Sequence, residues 1–154
     1  MGDRLNSIPN IKGVELHPLK VIGDERGAVL HMLKPELLGA GNIGEVYFSE
    51  VFPGAVKAWK KHLHMTQRLA VPVGKIRFVL YDDRLDSMTR GVLDEFILGR
   101  PDHYHLLVIE PMIWYGFSAI DSSPALIVNC PDLPHDPDEV EHKSILSNAI
   151  PYQW

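Results

Sequence analysis

Short apolar segments recur along this chain at fairly even intervals, separated by Gly, Pro or Asp, and nowhere does a helical apolar period persist. Strand-length segments bounded by turn formers are the pattern of an all-β sandwich or barrel. Ten strands are expected: Val14–Ile22, Ala28–Met32, Gly44–Val51, Val56–His64, Arg68–Val73, Lys75–Asp82, Gly91–Leu98, His105–Ile109, Ile113–Ile120 and Ala125–Cys130. The best helical candidate is Pro35-Glu36-Leu37-Leu38, with Pro in the first turn and Gly39 as a stop. At 154 residues the chain has room for one domain, spanning 1–154, and little room for two. From about 131 it changes character. The Pro- and acid-rich stretch Pro131 to Glu139 is expected to run as coil, and the terminal Tyr152 and Trp154 to fold back onto the body.

Fifteen Lys and Arg against 20 Asp and Glu leave a net charge of −5, which argues against a general nucleic-acid binder. The single cysteine, Cys130, sits in an apolar run and cannot form an intrachain disulfide, so a reduced thiol and a cytoplasmic location are expected. Met1 to Asn6 opens no leader-like apolar stretch, and no run is long enough to span a bilayer, so no membrane association is expected.

The chemistry concentrates on one segment. On a regular strand Val56, Ala58, Lys60, His62 and His64 share one face, while Lys57, Trp59, Lys61 and Leu63 share the other. If the first set lines a lumen, its mouth carries one ammonium and two imidazoles, suited to an anionic ligand with a base beside it. If it does not, the strand presents solvated Lys and His. His-x-His also begins metal sites in small barrels, but the neighbouring Gln67 and Arg68 add no carboxylate and Arg68 repels a cation, so no metal is expected. Arg26, within Gly23-Asp24-Glu25-Arg26-Gly27, fits either a plain turn or a phosphate contact. Tyr81 to Gly91 reads as a long polar hairpin loop.

Several of these segments, taken in order, resemble the dTDP-4-dehydrorhamnose 3,5-epimerase family. The resemblance rests on the Gly-Asp-Glu-Arg-Gly turn at 23–27, the strand Val56 to His62, Asp82 and Arg84 followed by Ser87, Thr89 and Gly91, and the strand from Ile109 to Tyr115-Gly116-Phe117. It implies a cupin jelly roll, usually dimeric and free of cofactor, acting on a nucleoside-diphosphate 4-keto-6-deoxy sugar in deoxysugar or surface-polysaccharide synthesis. In that family a histidine removes a proton at C3 or C5, a carboxylate orients it, and a tyrosine returns a proton on the other face.

By this resemblance His62 matches the base and Arg26 the arginine associated with the nucleotide phosphates. The family tyrosine falls on Val128 and its aspartate near Ser147-Asn148, leaving Tyr115 as the candidate proton donor and Asn148 as the imidazole's partner. Lys60, His64 and Arg68 join Arg26 as substrate-binding candidates. A C3 or C5 epimerase or ketoisomerase is the leading reading. A non-catalytic nucleotide-sugar-binding cupin and a metal-dependent cupin are the alternatives.

Overall fold

Alternation gives each short strand one apolar face, and two such faces closed on one another make the body of the molecule. A computed structural model describes residues 8–39 and 41–154. Met1 to Asn6, read as leaderless, lies outside the described residues. With strands numbered in chain order, one antiparallel sheet runs β1 (Val14–Pro18), β9 (His105–Ile109), β6 (Gln67–Val73), β11 (Ala125–Asn129) and β4 (Tyr47–Val51). The facing sheet runs β12 (Val140–His142), β5 (Val56–His62), β10 (Trp114–Ala119), β7 (Lys75–Tyr81) and β8 (Leu93–Gly99). The short hairpin β2 (Val21–Asp24) and β3 (Gly27–Leu30) pairs only with itself, and α1 (Pro35–Leu38) is the expected helical turn. The two facing sheets form the expected jelly roll.

Between the sheets Leu69, Ile76, Phe78, Leu80, Leu107 and Ile127 are almost fully buried, and Phe78 meets Phe117 at a ring-centroid distance of 5.5 Å. Burying each such side chain stabilises the fold by about 1.5–3 kcal/mol. A second cluster lies on the outer face of the β5–β10–β7 sheet. There Trp59, Val79 and Trp114 are covered by Ile150, Tyr152 and Trp154, so the tail returns to the body. Trp154 lies 5.3 Å from Trp59 and 4.9 Å from Tyr152, centroid to centroid.

Three departures from the sequence reading matter. The segment Val14–Ile22 divides: β1 pairs with β9 through Pro18, the Leu19 N–H still reaches the Tyr104 carbonyl at 3.0 Å, and β2 then turns back on β3. The tail is not all coil: Val140–His142 adds a strand to the edge of β5. Finally, β5 does not alternate throughout. Tyr115 stands opposite Lys60 and Phe117 opposite Lys57, so Ala58 and Trp59 together oppose Gly116 in a β-bulge. A Cβ at residue 116 would stand 2.5 Å from that of Ala58 and 2.8 Å from the Trp154 ring, so only glycine fits. The bulge changes which residues share a face: Lys57 joins Lys60 and His62 on the inner side, and Ala58 passes to the outer side with Trp59.

The Tyr81 to Gly91 loop is tied together around Asp82 and anchored to the Lys12 backbone and to Trp114. The fully buried Asp82 carboxylate accepts bonds from Arg84 Nε at 2.8 Å, Ser87 Oγ at 2.6 Å and Thr89 Oγ1 at 2.7 Å. Burial alone would raise this carboxyl, but those donors outweigh it and hold the group far below the usual carboxylate range. Among the described residues, no helix is long and apolar enough to cross a membrane.

Candidate active site

The pairing of β12 with β5 builds the centre of the site. Val140 lies opposite His62. The residue before it, Glu139, closes a 3-10 turn over Pro137–Glu139 whose N-cap, Asp136, accepts a bond from the Asp138 amide at 2.9 Å. The Glu139 carboxylate is thereby set against His62 and bonds to its Nδ1. Its other oxygen accepts the amide N–H groups of His64 and Met65, each at 3.2 Å. Only 5% of Glu139 remains exposed. Burial pushes its carboxyl upward, but the His62 contact and the two amides prevail and hold it below its ordinary value. An ionised acceptor at Nδ1 requires the proton there, which leaves the Nε2 lone pair directed inward.

Tyr115, on the neighbouring strand β10, brings its hydroxyl to 3.2 Å from that Nε2, with the two rings stacked 5.9 Å apart. Burial, reinforced by Tyr47 and Glu139 and only partly offset by Gln67, pushes the Tyr115 phenol well upward. It is therefore a bound phenol that donates to His62.

The facing sheet supplies a neutral polar wall. Asn129 Nδ2 donates to Tyr47 Oη at 2.8 Å and to Gln67 Oε1 at 3.2 Å, while Asn129 Oδ1 accepts the Arg68 amide at 3.2 Å. At the mouth, Lys57 Nζ reaches across to Ser49 Oγ at 3.3 Å and to the Glu50 carbonyl at 2.9 Å. Lys60 lies on the same inner face as Tyr115. Partial loss of water around its ammonium, with the Lys57 charge nearby, lowers the Lys60 pKa. The arrangement combines a carboxylate-backed imidazole, a cation beside it and hydroxyl groups on both walls.

Of the residues singled out from sequence, His62, Tyr115 and Lys60 come together. The others do not. His64 falls beyond β5, which ends at His62; its side chain is exposed and only its amide serves the site, through Glu139. Arg68 points to the outer side of β6, and its guanidinium is used up on the backbone carbonyls of Cys130, Leu38 and Asn42. Asn148 stands exposed on the tail, and the imidazole partner assigned to it is Glu139 instead. Arg26 sits at the hairpin tip with 83% of its side chain exposed, paired to Asp24 at 2.6 Å. No described contact joins it to the His62 pocket of its own chain. Glu139, Gln67, Asn129 and Tyr47 were not anticipated. Only Glu139 carried a local signal, as the close of an Asp-Pro-Asp-Glu turn. Among the described residues, no three His, Cys, Asp or Glu side chains converge as metal ligands.

No protein-family model matches the chain. It is 34% identical to the probable low-salt glycan biosynthesis epimerase Agl13 of Haloferax volcanii, over 90% of this chain and 89% of that protein. It is 28% identical to the spore coat polysaccharide biosynthesis protein SpsL of Bacillus subtilis, over 94% of this chain and 96% of the other. Among solved structures, a dTDP sugar isomerase from Desulfovibrio desulfuricans G20 superposes with a TM-score of 0.90 at 49% identity, covering 94% of this chain and 92% of that one. The dTDP-6-deoxy-D-glucose-3,5-epimerase of Legionella pneumophila shares the fold, with a TM-score of 0.83 at 19% identity, over 96% of this chain and 81% of its own.

Proposed function

The chain belongs to the dTDP-4-dehydrorhamnose 3,5-epimerase-like family, and from that premise we propose that His62, backed by Glu139, is the base that removes a proton beside the ketone of a nucleoside-diphosphate 4-keto-6-deoxy sugar. The protein is an isomerase of nucleotide sugars in glycan and polysaccharide synthesis. The observation that carries the assignment of the base is the Glu139 carboxylate set against His62 Nδ1 on the inner wall, with Nε2 turned to the opposite side of the ring.

A ketone makes the neighbouring C–H acidic enough for an imidazole. As Nε2 takes the proton, the ring becomes an imidazolium, and the ionised Glu139 stabilises that charge without moving. The electron pair flows toward the ketone oxygen. Lys60, on the same face as the base, is the cation placed to hold the resulting enolate. Returning a proton to the other side of the carbon completes an epimerisation; moving the hydroxyl proton of that carbon to the enolate oxygen and then protonating the former carbonyl carbon completes a ketoisomerisation.

The nucleotide we assign is dTDP, and the working form a homodimer in the cytoplasm. The dimer reading is supported by exposed apolar residues: Val21, Ile22 and Val29 on the hairpin, with Phe48 and Phe52 at the free edge of β4. β1, which carries Val14 and Leu16, is also an edge strand and offers its unpaired side for a sheet shared between two copies. A second copy is what can bring the hairpin, and Arg26 with it, against a pocket to meet diphosphate. Sedimentation equilibrium reading a clean 17.4 kDa species at micromolar concentration overturns the dimer. Unchanged dTDP affinity in Arg26→Ala returns that residue to the turn alone.

The reaction is tested in heavy water. Wild type and His62→Ala are incubated with dTDP-4-keto-6-deoxy-D-glucose, and label at C3 and C5 is read by NMR. Label above the enzyme-free rate in wild type and its loss in the variant are expected. Wild type without label, or a variant that labels normally, removes His62 from the role of base.

A further inference from the structure

Resting on the reading of His62 as the base, we propose that Tyr47 is the proton donor on the opposite wall of the pocket, held there by Asn129. Inverting a carbon requires the proton to arrive on the side away from the base. Tyr115 is poorly placed for this, because it shares a sheet with His62 and its hydroxyl already bonds to the base's own nitrogen. It is also 95% buried, out of reach of water that would restore its proton, and its phenol is pushed upward, so it gives the proton up reluctantly.

Tyr47 differs in sheet, in hydrogen-bond partner and in exposure. It lies on β4 of the other sheet, and its register partner is Asn129. Asn129, Ile127 and Ala125 are buried, and Val51, two steps beyond Ser49, is fully buried in the same core, so Tyr47, Ser49 and Val51 present their side chains inward. Position 47 is the outermost of these and retains 40% of its surface.

The hydrogen-bond arrangement gives its hydroxyl a direction. Asn129 donates to the phenolic oxygen at 2.8 Å, which occupies a lone pair and leaves the O–H proton free to point elsewhere. Asn129 cannot swing away, because its second N–H donates to Gln67 and its carbonyl accepts from the Arg68 backbone. This amide is 99% buried with every polar group engaged, a costly arrangement for holding one partly exposed tyrosine unless the tyrosine's position matters.

The step balances as follows. His62 Nε2 takes the proton from carbon, and the C–H electron pair becomes the enolate. The enolate carbon then takes the proton of Tyr47 Oη, whose O–H electrons stay on oxygen as phenolate. The Asn129 N–H stabilises that phenolate, water restores its proton, and the His62 imidazolium releases its own proton to solvent.

The experiment uses the full chain, Tyr47→Phe and Tyr115→Phe, with dTDP-4-keto-6-deoxy-D-glucose in heavy water. NMR follows both deuterium entering the unepimerised sugar and inverted product. In Tyr47→Phe, inversion is expected to fall about 100-fold or more, the scale of lost general-acid assistance. Label still enters with retained configuration, since His62 can return a deuteron to the side it emptied. The exchange-to-inversion ratio therefore rises steeply. A merely structural role lowers both together and overturns the assignment, as does inversion at the wild-type rate in Tyr47→Phe. Selective loss of inversion in Tyr115→Phe gives the role to Tyr115. If wild type neither exchanges nor inverts, the base assignment itself falls; if it does both and Tyr47→Phe matches it, only the Tyr47 assignment does.

Discussion

Asp82 and Glu139 are both buried carboxylates held ionised by donors around them, yet their surroundings do different work. Every described side-chain partner of Asp82 comes from within seven residues, in its own loop, and the network reaches beyond that loop to the Lys12 backbone, which Arg84 and Thr89 tie down. Glu139 takes two backbone amides and then an imidazole 77 residues away, whose far nitrogen meets the Tyr115 hydroxyl on the inner face. The first arrangement consumes a charge to fix a loop. The second transmits a charge to a group that can change its protonation state. A buried carboxylate thus points to chemistry when its chain of contacts ends on a group that can take up and release a proton.

Substitutions at the two sites should separate these roles. His62→Ala should have the largest effect, a loss of about 10³-fold in solvent exchange, within the range for removing a general base and equivalent to about 4 kcal/mol of barrier. Circular dichroism melts should stay close to wild type, and a collapse of the fold instead would erase the contrast. Asp82→Asn should do the reverse. Urea titration is expected to show about 3 kcal/mol of lost stability, because Arg84 is left without its anion, while kcat per folded molecule is preserved. An inactive but equally stable variant would show the loop to be part of the site.

Glu139→Gln keeps an acceptor for the Nδ1 proton but removes the charge that steadies the imidazolium. About a 10²-fold fall in kcat with little change in KM is expected, read from steady-state kinetics. Acid titration gives the smallest and most graded effect. Both carboxyls sit lower in the folded than in the unfolded chain, so each contributes stability that is complete above its unfolded value, about pH 4. The stability gap between wild type and Asp82→Asn should therefore be constant near neutrality and narrow as pH falls toward the depressed native value. A gap that widens in acid contradicts the sign.

Much of the frame was legible because it rests on local pattern. Apolar alternation located the main strands, the 23–27 turn appears as a hairpin tip, and His62 was found at the end of its strand. The site was less legible because its parts are joined by distance and register. Glu139 lies in an acidic, Pro-rich stretch whose composition suggests solvated coil, and only the pairing of Val140 with His62 reveals its target. Asn129 and Gln67 read as strand residues with nothing to mark them, since their significance arises from each other and from Tyr47. Arg68 and His64 misled for related reasons. A cation near the right histidine looks like a ligand contact until three backbone carbonyls claim it, and a two-residue spacing implies a common face only while the strand continues.

The bulge opposite Gly116 acts as a phase shifter on β5. Before it, Lys57 faces inward at an odd position; after it, Lys60 and His62 face inward at even ones. Tolerance to substitution along the strand should therefore reverse its parity midway, with polar replacements accepted at different alternate positions on either side of Ala58 and Trp59. Deleting one of those two residues would restore simple alternation and rotate one half of the strand relative to the other. The composition would scarcely change, but the lysine at the mouth and the histidine at the centre would no longer address the same space.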